Sequence, residues 1–238
     1  NAGYRVSRYE LDLEYKVASN RLSGTATITA TTLTALRAFT LDLAGTMSVS
    51  KVRVNGSQPA RFATAGAKLR ITLAGQLPAG AALVIVVRYS GTPRPRETLW
   101  GEVGFEELSD GALVSGQPNG APSWFPCDDH PAAKASYLIQ ISTDSPYRAV
   151  ANGELLSRRV RAGRTTWVYE QPEPTPTYLV TLQIGQYVTH RMAGSDVPIN
   201  AVANAPDAGN LDEVPLILHE EGLDTVVCEQ FGFADRDI

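Results

Sequence analysis

The chain has 238 residues, 43% of them apolar and 19% charged, with a net charge of -4 at neutral pH. A chain this long buries roughly 70–75% of the surface its unfolded form exposes, which suits one large domain or one domain and part of another. The mild acidity gives no electrostatic ground for nucleic acid or an anionic membrane as partner, and there is no apolar run of the roughly 18 residues a bilayer span needs.

No secretory leader is recognisable at the start. The two cysteines, Cys127 and Cys228, lie far apart in the chain. Sequence separation does not say whether they pair, and two buried thiols is the plainer reading. The compartment and the oligomeric state stay open.

From the N-terminus, Tyr9, Leu11, Leu13, Tyr15 and Val17 alternate with Glu10, Asp12, Glu14 and Lys16. Period two predicts a strand with one buried and one wet face. Strands follow over Leu22 to Thr32, Ala35 to Leu43 and Val49 to Val54. The last of these runs into Asn55-Gly56, the strongest short hairpin signal. Leu69, Ile71 and Leu73 alternate again. Leu83 to Tyr89 is continuously apolar and predicts a strand buried on both faces. Two prolines break the pattern over Thr92 to Arg96. Asp110-Gly111 then marks a turn between Leu99–Leu108 and Ala112–Ser115. Later, Tyr137 to Ser142 is a strand, and Glu154 to Val160 pairs with Thr165 to Glu170 around Ala162-Gly163. Gln171 to Pro176 reads as a proline-rich connector, Tyr178 to Val188 as one strand and Ile199 to Ala203 as a short last one.

The character then changes. Asn210 suits an N-cap, with Asp212 and Glu213 where acids favour the helix dipole. Leu216, Ile217, Leu223, Val227 and Phe231 recur near helical spacing and predict a helix from Asn210 to Phe231. Lone helices of this length are marginal in water, so it needs partners from elsewhere.

The chemistry-bearing stretch is Ser115 to Tyr137, S-G-Q-P-N-G-A-P-S-W-F-P-C-D-D-H-P-A-A-K-A-S-Y. Its prolines rule out a central strand or an unbroken helix, and its aromatic content argues for a built loop. Gln117-Pro118-Asn119-Gly120-Ala121, then Trp124-Phe125-Pro126-Cys127-Asp128-Asp129-His130-Pro131 and Lys134-Ala135, resembles the N-terminal domain of the aminopeptidase N family of zinc metallopeptidases, in a bacterial form. Pro176-Thr177-Tyr178-Leu179-Val180 and Ile184-Gly185-Gln186-Tyr187 extend the resemblance.

The resemblance implies an all-β fold: a curved, saddle-like antiparallel β-sandwich over residues 1–206, with 207–238 opening the helical metallopeptidase domain. It also implies that Gln117, Asn119 and Gly120 bind substrate at its free α-amino end. Asn119 stands where the family usually has Glu, so the loop offers hydrogen bonds there without a charge. The resemblance implies a strained, often cis, peptide at Asn119-Gly120, so an unusual backbone is expected there. Zinc and the activation of water at the first peptide bond are implied for a longer parent protein. The histidines His130, His190 and His219 include no pair four apart, and His219-Glu220-Glu221-Gly222-Leu223 has Leu223 where His-Glu-x-x-His needs its second ligand. No metal site and no catalytic residue are therefore assigned to this chain. The expected partners are a peptide substrate and the chain's own downstream catalytic domain.

The residues also support plainer readings. Trp124 and Phe125 suit plugs under the loop, Asp129 suits a turn cap for the residues after it, and Lys134 suits an ion pair with an aspartate. A free-standing β-sandwich module for sugars or proteins is the alternative function. A hydrolase using Cys127 with His130 is a third.

Overall fold

The structure is a computed structural model that describes residues 1–59, 61–99, 101–192 and 199–204, with side chains as far as residue 188. The predicted helix over Asn210 to Phe231 and the second cysteine, Cys228, lie outside the described residues. The chain divides into two compact units, residues 1–184 and 185–238. The described part of the second unit contains a two-stranded antiparallel ladder, Tyr187–Met192 with Ile199–Asn204.

The first unit is all-β, as expected. Its strands in chain order are β1 (Tyr4–Lys16), β2 (Arg21–Thr32), β3 (Leu36–Asp42), β4 (Met47–Val54), β5 (Arg61–Ala65), β6 (Lys68–Leu77), β7 (Ala82–Gly91), β8 (Arg96–Thr98), β9 (Gly101–Leu108), β10 (Gly111–Ser115), β11 (Lys134–Asp144), β12 (Arg148–Ala151), β13 (Glu154–Arg161), β14 (Arg164–Pro176) and β15 (Leu182–Gly185). They form a seven-stranded sheet in the order β13-β14-β11-β1-β2-β7-β4, a five-stranded sheet β12-β15-β10-β9-β8 and a three-stranded sheet β3-β6-β5.

β1 organises the large sheet. Tyr9, Leu11, Leu13 and Tyr15 are buried, while the charged residues between them face water, as the alternation predicted. Three different elements cover its buried face. Tyr4 meets Phe39 of the three-stranded sheet at 5.6 Å between ring centroids. Tyr9 meets Phe125 of the central loop at 5.7 Å, and Tyr15 meets Phe105 of the five-stranded sheet at 5.2 Å. Edge-on and offset ring pairs of this kind add about 0.5–1.5 kcal/mol each beyond burial.

Several expectations need correction. The sheet is not purely antiparallel, because β1 and β11 pair in parallel, from Arg8↔Ser136 to Glu14↔Ser142. A parallel pair needs a long crossover, and the whole stretch from β2 to β10 supplies it. β7 is buried on one face only: Leu83, Ile85, Val87 and Tyr89 are buried, whereas Val84 and Val86 are half-exposed on the polar outer face. The proline-rich connector is part of β14. Its pairing with β13 ends at Glu170↔Glu154, and Pro172 and Pro174 fall at a register shift opposite β11, where no ladder donor is required. The span from Tyr178 to Val188 is interrupted by a 3-10 turn at Thr177–Leu179 and by the break between β15 and the following strand.

Asn55-Gly56 forms the predicted turn, with both residues at positive φ, but only one bridge, Val54↔Ser57, follows it. Asn55 instead binds β7: Val84 N–H donates to its Oδ1 at 2.8 Å, and its Nδ2 donates to the Ala82 carbonyl at 3.0 Å. By contrast, Ala162-Gly163 closes a full hairpin between β13 and β14.

Candidate functional site

The loop between β10 and β11 is folded back on itself. The Gly120 N–H donates to Gly116 O at 2.6 Å, and a 3-10 turn at Ala121–Ser123 follows. Pro122 sits within this turn, where a missing N–H costs nothing. Ser123 is fully buried and ties the turn to β9. Its Oγ accepts the Phe105 N–H at 2.8 Å and donates to the Gly120 carbonyl at 2.6 Å. Gly120 also packs against Gly104 so closely that a Cβ on Gly120 would lie 2.6 Å from the Gly104 nitrogen. Only glycine fits there, which gives the Gly120 of the sequence pattern a packing reason.

Farther along, Trp124 and Phe125 are fully buried, as the plug reading predicted, with ring centroids 4.6 Å apart. The next residues return to the three-stranded sheet. Cys127 and Asp42 exchange two backbone hydrogen bonds, of 3.0 and 2.7 Å, and the Asp128 N–H donates to the Tyr9 hydroxyl at 3.0 Å. The Asp42 carboxylate accepts from Asn1, from Lys68 and, at 3.2 Å, from the Asp129 N–H.

The cap reading for Asp129 is not what the fold uses. Asp129 Oδ1 accepts the Thr177 hydroxyl at 2.8 Å, and it is His130 whose carbonyl and Nδ1 accept the Ala133 and Ala132 amides. His130 is followed by Pro131, so the turn starts one residue later than predicted. Lys134 makes no ion pair among the described residues; its backbone pairs with Pro176 instead.

The three substrate-binding candidates share one turn but differ in access. Gln117 is exposed, Asn119 is half-buried and Gly120 is buried. The Asn119 Oδ1 is buried with no hydrogen-bond partner among the described residues. Its backbone carbonyl accepts from Arg96 Nη1 at 2.7 Å. Sequence reading missed Arg96, because it lies in a proline-broken segment 23 residues upstream. The expected cis peptide at Asn119-Gly120 is not found: the cis bonds are Gln117-Pro118 and Ser145-Pro146, both before proline, where the tertiary amide makes cis far less costly.

Electrostatics close the cysteine reading. Burial, and then the carboxylates of Asp129, Asp42 and Asp128, push the Cys127 thiol well above its ordinary range. His130 is exposed and Cys127 has no exposure at all, so no thiol–imidazole pair forms. A nucleophilic cysteine needs the opposite surroundings, partly exposed and electropositive. Burial also raises the Asp129 carboxyl, against the lowering effect of its Thr177 hydrogen bond.

The described residues do not fit a zinc site. No group of three or more His, Cys, Asp or Glu among them is placed to hold a metal ion, and His130, the one histidine whose side chain is described, uses its Nδ1 as a turn acceptor. Among the described residues no helix is long and apolar enough to cross a membrane.

Comparison with known proteins places this geometry. The fold superposes on a two-domain M1 zinc metallopeptidase solved with bound L-arginine, with a TM-score of 0.79 and 25% identity, covering 86% of this chain and 49% of that one. A Deinococcus radiodurans M1 zinc metallopeptidase solved with a Tyr-Ser-Ala substrate gives a TM-score of 0.77 at 26% identity, covering 85% of this chain and 48% of that one. In sequence, the chain is 24% identical over 206 residues to the leucyl aminopeptidase of Saccharolobus solfataricus, covering 85% of this chain and 24% of that protein. A separate, short likeness of 43 residues at 44% identity, 18% of this chain, is to the CTP synthase of Frankia casuarinae. The chain thus spans about half of the solved structures and about a quarter of the curated aminopeptidase. The family model for the Peptidase M1 N-terminal domain matches residues 6–179, and the chain belongs to that family.

Proposed function

We propose that this β domain walls one side of the substrate cleft of a zinc aminopeptidase and that its Gln117 to Gly120 turn helps hold the free α-amino group of the peptide. The observation that carries this reading is the combination of an exposed Gln117 with a turn anchored from below by Gly120, Ser123 and the Trp124-Phe125 plug. A rigid support lets an exposed amide meet a ligand without first being ordered. The Gln117 carbonyl oxygen is an acceptor suited to a cationic amine. Asn119 presents its own acceptor inward, so its part is to shape the turn, and only a longer side chain at that position would reach the amine. Zinc and its ligands belong to the downstream catalytic domain of the parent.

In the full-length protein, Gln117→Ala is expected to raise KM for free-amine peptides roughly tenfold or more, the worth of one hydrogen bond to a charged group, with kcat nearly unchanged. Asn119→Glu is expected to lower KM for the same peptides by adding a charge for the amine, leaving the affinity for N-acetylated peptides as it was. An equal response of both peptide types to either change would remove the amine from this turn.

The coding sequence beyond Ile238 tests the parent assignment: a downstream His-Glu-x-x-His supports the peptidase reading, and a full-length sequence without that motif removes it.

A further inference from the structure

We infer that Arg96 is a positioning residue for the Gln117 to Gly120 turn, an inference that rests on the amine-holding role proposed above for its functional consequence. β8, which carries Arg96, is a three-residue strand paired only to β9 at the edge of the five-stranded sheet. From there the guanidinium crosses to the turn and donates Nη1 to the Asn119 carbonyl at 2.7 Å. Among the described residues this is the sole hydrogen bond that reaches Gln117, Pro118 or Asn119 from outside the loop. Gly120 and Ser123 secure the base of the turn, and Arg96 secures its tip.

The residue type matters. A charge-assisted bond to a carbonyl is roughly twice as strong as a neutral one. The planar guanidinium holds its direction better than an ammonium on a flexible stem. Its positive charge also acts on Asp129 and Cys127, opposing the rise that burial imposes on both. Arg96 is half-buried, so its charge is only partly screened. Fixing the Asn119 carbonyl fixes the backbone two residues from Gln117. The exposed amide is thereby presented in one orientation before any substrate arrives.

The test uses Arg96→Ala and Arg96→Lys in the full-length protein, read by hydrogen exchange and by steady-state kinetics on a free-amine peptide. In Arg96→Ala, exchange in a peptide covering the Gly120 amide is expected to rise about tenfold, as for loss of one charge-assisted bond, while the β1 and β11 amides stay unchanged. KM should rise with kcat nearly constant, and Arg96→Lys should recover part of both effects. Unchanged exchange at Gly120 in Arg96→Ala overturns the inference. Faster exchange at Gly120 with unchanged KM upholds Arg96 as the anchor of the turn and instead removes the amine from Gln117, which separates the two claims. Should Arg96→Ala loosen the β1 amides as well, Arg96→Lys is decisive. Exchange at Gly120 intermediate between wild type and Arg96→Ala over a quiet β1 supports positioning, and exchange that rises equally in both elements overturns it.

Discussion

The inner face of β1 and the outer edge at β13 both turn apolar side chains to the core side of the same sheet and meet opposite fates. Under the loop, Tyr9 stacks on Tyr137 at 5.1 Å and meets Phe125 edge-on, and all three are buried. On β13, Leu155 and Val160 stand opposite Tyr169 and Thr165, on the same side of the sheet as that core, yet they are 43% and 62% exposed. Trp167 of β14 marks the border: it is buried, with the Arg158 guanidinium 4.8 Å over its ring. Alternation therefore chooses which face a residue takes, and a covering element decides whether that face is dry. Beside the loop, every bulky side chain has a partner layer. At β13 none of the described elements extends far enough, and arginines on the strand keep the exposed edge soluble.

Substitutions sharpen this contrast, beginning with the largest. Trp124→Ala removes the fully buried ring packed against Phe125, which in turn meets Tyr9, and should cost about 3–5 kcal/mol, because a fully packed site cannot collapse around so large a loss. Urea unfolding of the isolated chain measures it, and a loss no larger than that of an exposed side chain would erase the distinction between the two regions.

Asp129→Asn tests the charge trapped at the margin of the loop. Burial raises the Asp129 carboxyl above its ordinary 3.8. The folded state therefore keeps the proton to a higher pH than the unfolded state, and stability falls as pH rises from 3.8 through the raised value. At neutral pH the ionised carboxylate is a standing cost. The asparagine oxygen still accepts from Thr177, so Asp129→Asn should raise Tm at pH 7 by roughly 2 °C, the shift expected for under 1 kcal/mol in a domain this size. That gain should disappear once the pH is below 3.8, where both states of the native protein carry the proton. Thermal melts at the two pH values check both magnitude and sign.

Val160→Thr should do least. It swaps a methyl for a hydroxyl on an edge side chain already open to water, and the expected change is within about 0.5 kcal/mol. A large loss on thermal melting would mean that something covers β13 in solution.

Much of this protein was legible in its sequence. The period-two pattern of Tyr9 to Val17, the Asp110-Gly111 and Ala162-Gly163 turns, and the proline-bounded loop are local signals, written in residues a few positions apart. So were the Trp124 and Phe125 plugs, whose bulk within a loop has few outlets other than a core. The family likewise followed from a few short runs of residues, chiefly Gln117 to Ala135, with Pro176 to Val180 and Ile184 to Tyr187.

What only the tertiary structure decided depends on residues far apart in the chain. The parallel pairing of β1 with β11 joins Leu11 to Ile139. The Asn55 side chain spends its hydrogen bonds on β7 instead of extending a hairpin. Arg96, in a segment the prolines made unreadable, reaches the Asn119 carbonyl. In each case the backbone groups and side chains involved have many possible partners of equal local quality. Which partner wins is set by the packing of whole sheets, and a period of two or a turn dipeptide carries no record of that.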